Sequence, residues 1–120
     1  LLGCTGQKVD NNNSSLSPST KSSSYTSNYI TVKYRDTRVD VGHPRFEYLS
    51  TAGSSFVNGA WYDENNEYMI IKLKSTHYHY CGLPIRIWDN FSNASSFGKY
   101  FNANIKDNYD CRTGFVPSYN

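Results

Sequence analysis

The chain has 120 residues, 38% of them hydrophobic, enough for one small domain and not for several. Its formal net charge is only +2, and from His43 onward seven cations (Arg45, Lys72, Lys74, Arg86, Lys99, Lys106, Arg112) meet seven carboxylates (Glu47, Asp63, Glu64, Glu67, Asp89, Asp107, Asp110), so the folded part exerts little long-range pull on a phosphate backbone. No apolar run reaches the roughly 18–20 residues that a membrane span needs.

At the amino end, Leu1-Leu2-Gly3-Cys4 resembles a bacterial lipobox, where a signal peptidase cuts before a cysteine that then carries diacylglycerol. A chance Leu-Leu-Gly-Cys is the alternative. Residues 5–28 are rich in Ser and Asn and carry few apolar side chains beyond Val9, Leu16 and Tyr25. Such a segment buries too little surface to order itself, and as a random coil of about 24 residues it spans roughly 25–30 Å on average. Residues 1–28 are therefore expected to be a lipobox remnant and a disordered tether, with Cys4 as the lipid attachment site. Thr5 is not the aspartate that retains lipoproteins in the inner membrane of many Gram-negative cells, which favours the outer membrane. Setting Cys4 aside leaves Cys81 and Cys111, an even pair in an oxidising compartment. A disulfide between them is expected, closing a loop of about 30 residues worth about 3–4 kcal/mol; two independent buried thiols are the alternative.

An added segment follows at residues 29–49. Tyr29 to Tyr34 is β-branched and aromatic and predicts a strand, which Val39 and Val41 extend or pair with. Pro44 breaks that pattern, and Arg45 to Leu49 predicts a short edge strand. The main domain occupies residues 50–112. Phe56 to Tyr62 reads as a strand, Asp63-Glu64-Asn65-Asn66 as a turn with solvated carboxylates, and Glu67 to Lys74 as a strand with Met69, Ile71 and Leu73 on one face. The next strand runs through His77-Tyr78-His79-Tyr80-Cys81, and three antiparallel strands in sequence make a meander. Pro84 suits the first turn of a helix carrying Ile85, Trp88 and Phe91 on one side. Ser95 or Ser96 caps a second helix, in which Phe97, Phe101 and Ile105 form a stripe. Gly98 in that helix costs about 1 kcal/mol relative to Ala unless another backbone approaches closely. Residues 113–120 read as a loose tail. The fold class is α+β: a small antiparallel β-meander sheet packed against one or two short C-terminal helices.

Gly59-Ala60-Trp61-Tyr62-Asp63, Met69-Ile70-Ile71-Lys72-Leu73, Tyr78-His79-Tyr80, Gly82-Leu83-Pro84 and Ser96-Phe97-Gly98-Lys99-Tyr100-Phe101-Asn102 with Ile105, in this order, resemble the KTSC domain family. That family is named for a C-terminal extension of some lysyl-tRNA synthetases, and occurs alone in bacterial and phage proteins. It carries a Tyr-x-Tyr, a Gly-x-Pro and a Ser-x-Gly-x-x-Phe-Asn-x-x-Ile helix. The resemblance implies a β-meander with one or two helices. It implies no established activity, although RNA binding has been suggested for the family.

On a strand Tyr78 and Tyr80 share one face, and His77, His79 and Cys81 the other. The tyrosines are expected to pack against the helix stripe, or else to line a ligand groove. His77 and His79 supply two corners of a zinc or copper site, but a third ligand is lacking unless Cys81 is reduced or His43 folds over; neither metal nor cofactor is expected. Cys81 with His79 as a nucleophile pair lacks an orienting group and an oxyanion site, so no enzymatic activity is expected. Lys99 and Asn102 share a helix face where an anion or a partner's carboxylate can dock. The expected function is a non-enzymatic envelope lipoprotein. Its domain meets a protein or glycan partner through aromatic surface around Trp61, Trp88, Tyr78 and Tyr80, with Lys99 and Asn102 as further contacts. A phage-borne lipoprotein that blocks a receptor or a second infection is one form of this. The alternative is an RNA-binding module, which the neutral charge disfavours.

Overall fold

The computed structural model describes residues 25–33, 37–112 and 115–119; Cys4, most of the tether and Tyr34 lie outside them. Six strands and two helices follow in the order β1 (Tyr29–Val32), β2 (Thr37–Asp40), β3 (Glu47–Leu49), β4 (Val57–Asp63), β5 (Tyr68–Leu73), β6 (Thr76–Cys81), α1 (Ile85–Ser92) and α2 (Phe97–Asn104). They build one six-stranded sheet in the order β2-β1-β6-β5-β4-β3. From β3 to β6 the chain is an antiparallel meander. The expectation of a purely antiparallel sheet is corrected at one seam: the β1–β2 hairpin joins by laying β1 parallel to β6, with Val32 opposite His77. The connection from β2 to β3 then runs from one edge of the sheet to the other, the long crossover that a parallel pairing needs.

β5 sits in the middle of the sheet, and its period-2 alternation serves two cores. Met69 and Ile71 face one core, Tyr68 and Ile70 the other, and all four are fully buried. Glu67 and Lys74, at its two ends, take positive φ (49° and 58°), so the strand stops one residue short of the expected limits on either side.

The first core lies under the helices. Ile87, Trp88 and Phe91 from α1, and Phe101 and Ile105 from α2 and its C-cap, pack on Val57, Ala60, Tyr62, Met69 and Ile71. Trp88 stacks on Tyr62 with ring centroids 5.0 Å apart and planes 12° from parallel, while the Tyr62 hydroxyl donates to the Leu83 carbonyl at 2.7 Å. Ser96 caps α2, its Oγ accepting from the Lys99 N–H. At Gly98 the close backbone approach that was expected is absent: a Cβ there would meet only the Phe56 side chain, at 3.4 Å, an ordinary van der Waals contact.

The second core lies on the opposite face, under loops. Val32, Val39, Val41, Tyr68, Ile70, Cys81, Cys111 and Tyr119 form it, with Ile30, Phe46, Trp61 and Val116 packed alongside. The C-terminal segment was expected to be loose. Its described residues, 115–119, have no regular secondary structure, yet Pro117 and Tyr119 are buried, because the second face of β4 and β5 is apolar and must be covered.

Candidate functional site

Other segments meet the outer edge of β6 at both of its ends. At one end the Lys33 N–H donates to the His77 carbonyl at 2.9 Å. At the other, Tyr80 bridges Asp110 and the Cys81 N–H donates to the Tyr109 carbonyl at 3.1 Å. Between these anchors a cleft of about 470 Å³ opens, lined by Lys33, Tyr78, His79, Tyr80, Lys106, Asp107, Asp110, Cys111 and Arg112. Tyr80 meets Phe101 edge-on at 5.6 Å, and Lys33 Nζ lies 5.8 Å from the Tyr78 ring centroid, within cation–π range. Both tyrosines pack beside the helix-side core, as one of the two expectations had it, and both also line the cleft. Arg112 forms an ion pair with Asp110, which holds that carboxyl below its usual range through the hydrogen bonds Arg112 donates. The cleft therefore offers hydrogen-bonding charge of both signs around two phenol rings.

The other expected binding residues do not converge on it. Trp88 is 1% exposed and belongs to the helix-side core, so its expected contact with a partner is corrected: the α1 stripe that carries it is the one that packs on the sheet. Trp61 is half-buried on the second face, between Tyr48 at 5.3 Å and His77 at 5.7 Å. Lys99 and Asn102 are exposed on α2, away from the cleft lining.

Cys81 and Cys111 form a disulfide, with Cα atoms 4.8 Å apart. A thiolate at position 81 therefore requires prior reduction. Among the described residues no group of three His, Cys, Asp or Glu is placed to hold a metal ion. His79 Nδ1 pairs with the Tyr68 hydroxyl at 2.9 Å. Burial and then Lys72 push the His77 imidazole down, which favours its neutral form. His43 does not fold over these two; it stands between Tyr25 and Tyr119.

Two buried aspartates are what the residue pattern concealed. Asp63, expected in a solvated turn, is 1% exposed. It accepts from the Tyr119 hydroxyl at 2.6 Å, the Asn66 side chain at 2.7 Å and the Asn65 N–H at 3.0 Å. Burial pushes its carboxyl up, but these hydrogen bonds outweigh that and the net displacement is downward. Asp40 is equally buried and accepts from the Asn28 and Gly42 N–H groups at 2.8 and 3.0 Å and from the Tyr25 hydroxyl; burial again loses to these donors, and its carboxyl too lies low. Asn65 and Asn66 after Asp63 do signal a side-chain-capped turn. Nothing local signals that residue 119 returns to it.

Residues 53–109, the span from the loop before β4 to the turn after α2, match the family model of the KTSC domain. They are a KTSC domain. The chain also resembles the crystal structure of a KTSC domain protein from Yersinia pestis, with 29% identity and a TM-score of 0.50, covering 54% of this chain and 92% of that one. No curated protein matches. The KTSC match comprises the last three strands and both helices. The β1–β2 hairpin, β3 and the C-terminal tail flank it, and they supply Lys33, Asp110, Cys111 and Arg112 to the cleft and most of the cover of the second face.

Proposed function

We propose that this chain is a non-enzymatic envelope lipoprotein: a lipid on Cys4 tethers it, most simply at the outer membrane, and its KTSC domain binds a protein or glycan partner through the cleft beside β6. The observation that carries this reading is the placement of the family's Tyr-x-Tyr, Tyr78 and Tyr80, on the wall of a mixed-charge cleft. Rigid phenol rings next to charges of both signs give contact area and directional hydrogen bonds at small entropic cost. The disulfide supports an oxidising compartment, and the Leu-Leu-Gly-Cys start with its Ser/Asn-rich continuation supports a tethered domain. Among the described residues no helix is long and apolar enough to cross a membrane, so attachment in this reading is by the lipid.

A photo-crosslinking residue at Asp107 in intact cells tests the cleft. A discrete adduct with an envelope component, lost in Lys106→Glu, is expected; no adduct in either chain counts against the site. Mass spectrometry of the protein from its native host tests the anchor: diacylglyceryl-modified Cys4 is expected, and an unmodified thiol on cytosolic protein overturns it. The same lining, two tyrosines with Lys33, Lys106 and Arg112, also favours an RNA-binding reading. Asp107 and Asp110 oppose it, and a salt-dependent gel shift with structured RNA separates the two.

A further inference from the structure

The contact between Asp63 and Tyr119 has the construction of a receptor for a phenol. The Tyr119 ring lies 4.6 Å from Phe46, 6.1 Å from Tyr68 and 5.5 Å from His43, centroid to centroid. Its hydroxyl ends on a buried carboxylate that Asn65 and Asn66 already orient. Three aromatic walls and an anionic acceptor select tyrosine over phenylalanine, for phenylalanine would leave a buried charge one donor short. The acceptor and one wall, Asp63 and Tyr68, belong to the KTSC domain, whereas the occupant lies beyond it, past the matched residues. That occupant, Val116-Pro117-Ser118-Tyr119, lies in no helix or strand, and its proline and tyrosine are both buried. Proline restricts such a segment before it docks and so lowers the entropy lost on binding.

We infer that the second face of the sheet is a docking site for a proline-containing segment that presents a tyrosine, and that the chain's own tail occupies it in cis. The disulfide at Cys111 anchors the tail eight residues before Tyr119. A tether that short gives an effective concentration in the millimolar range, so the cis segment outcompetes a micromolar free peptide of the same sequence. A partner with this valine-proline-x-tyrosine chemistry gains access only when the tail is displaced. The site is separate from the cleft beside β6, and its test does not depend on what that cleft binds.

The test titrates a fluorescent peptide, Thr-Gly-Phe-Val-Pro-Ser-Tyr-Asn, into the full oxidised chain and into Tyr119→Ala, read by anisotropy. Saturable binding to Tyr119→Ala is expected. Binding to the unaltered chain should be at least about tenfold weaker, and a peptide with Phe for Tyr should bind Tyr119→Ala about tenfold more weakly. No binding to folded Tyr119→Ala, or equal binding of the Tyr and Phe peptides, overturns the inference. If circular dichroism shows Tyr119→Ala unfolded, the measurement moves to a chain with a protease site inserted between Thr113 and Gly114, cut after folding. Exchange of the labelled peptide into the cut chain then supports the site, and failure to exchange rejects it.

Discussion

The two faces of the sheet are closed with different materials. On one, α1 and α2 lay Trp88, Phe91, Phe101 and Ile105 on Tyr62, Met69 and Ile71. On the other, loops and the tail cover Val32, Tyr68 and Ile70, pinned by a disulfide and by two buried aspartates whose partners come from distant parts of the chain. The helix side relies on non-directional apolar burial, at about 1.5–3 kcal/mol per large side chain. The loop side adds a few directional links to its apolar contacts. Such links depend on pH and redox state, which apolar contacts do not. The helix side should therefore decide whether the domain folds, and the loop side what it responds to.

The strongest way to break this contrast is Trp88→Ala, which removes a stacked, fully buried ring and should cost about 3–5 kcal/mol in urea denaturation, melting both faces together. Next, reducing Cys81–Cys111 should cost about 3–4 kcal/mol for a loop of about 30 residues, with hydrogen exchange rising first in residues 115–119. Smaller again, Tyr119→Phe leaves Asp63 without one donor and should cost about 1–3 kcal/mol; a loss shared equally by both faces would argue that they are one cooperative unit.

Acid sharpens the comparison further. Asp40 and Asp63 are both held below the ordinary carboxylate pKa of about 3.9, so what they contribute is complete above that pH and lost as the pH falls through their folded values. The two tryptophans report separately, Trp61 on the loop side and Trp88 on the helix side. A Trp88→Phe chain, reporting through Trp61, should change its fluorescence below about pH 4 before a Trp61→Phe chain does. The smallest effect should come from Tyr48→Ala: Tyr48 is 56% exposed, and its loss should shift the urea midpoint by less than about 0.5 kcal/mol equivalent.

Much of the helix side was readable from residue order. Phe97, Phe101 and Ile105 recur every four residues, Met69 and Ile71 every two, and local geometry converts both periods into faces whatever the rest of the chain does. Tyr78 and Tyr80 were legible as a pair for the same reason, and Cys81 with Cys111 by parity once Cys4 was set aside. The loop side was opaque. Asp63 has the sequence context of a solvated turn residue and Tyr119 that of a frayed end, and they meet across 56 residues. Trp88 looked as available as Trp61 because an aromatic on an amphipathic stripe does not say whether the stripe will be covered.

Alternation, caps and turn chemistry in the sequence thus determined the strands, the helices and the apolar stripe of each, because these depend on neighbours within a few residues. The parallel seam between β1 and β6, the cleft it leaves open and the return of the tail to Asp63 were decided only in three dimensions. Each joins segments far apart in the chain, through partners that no local pattern encodes.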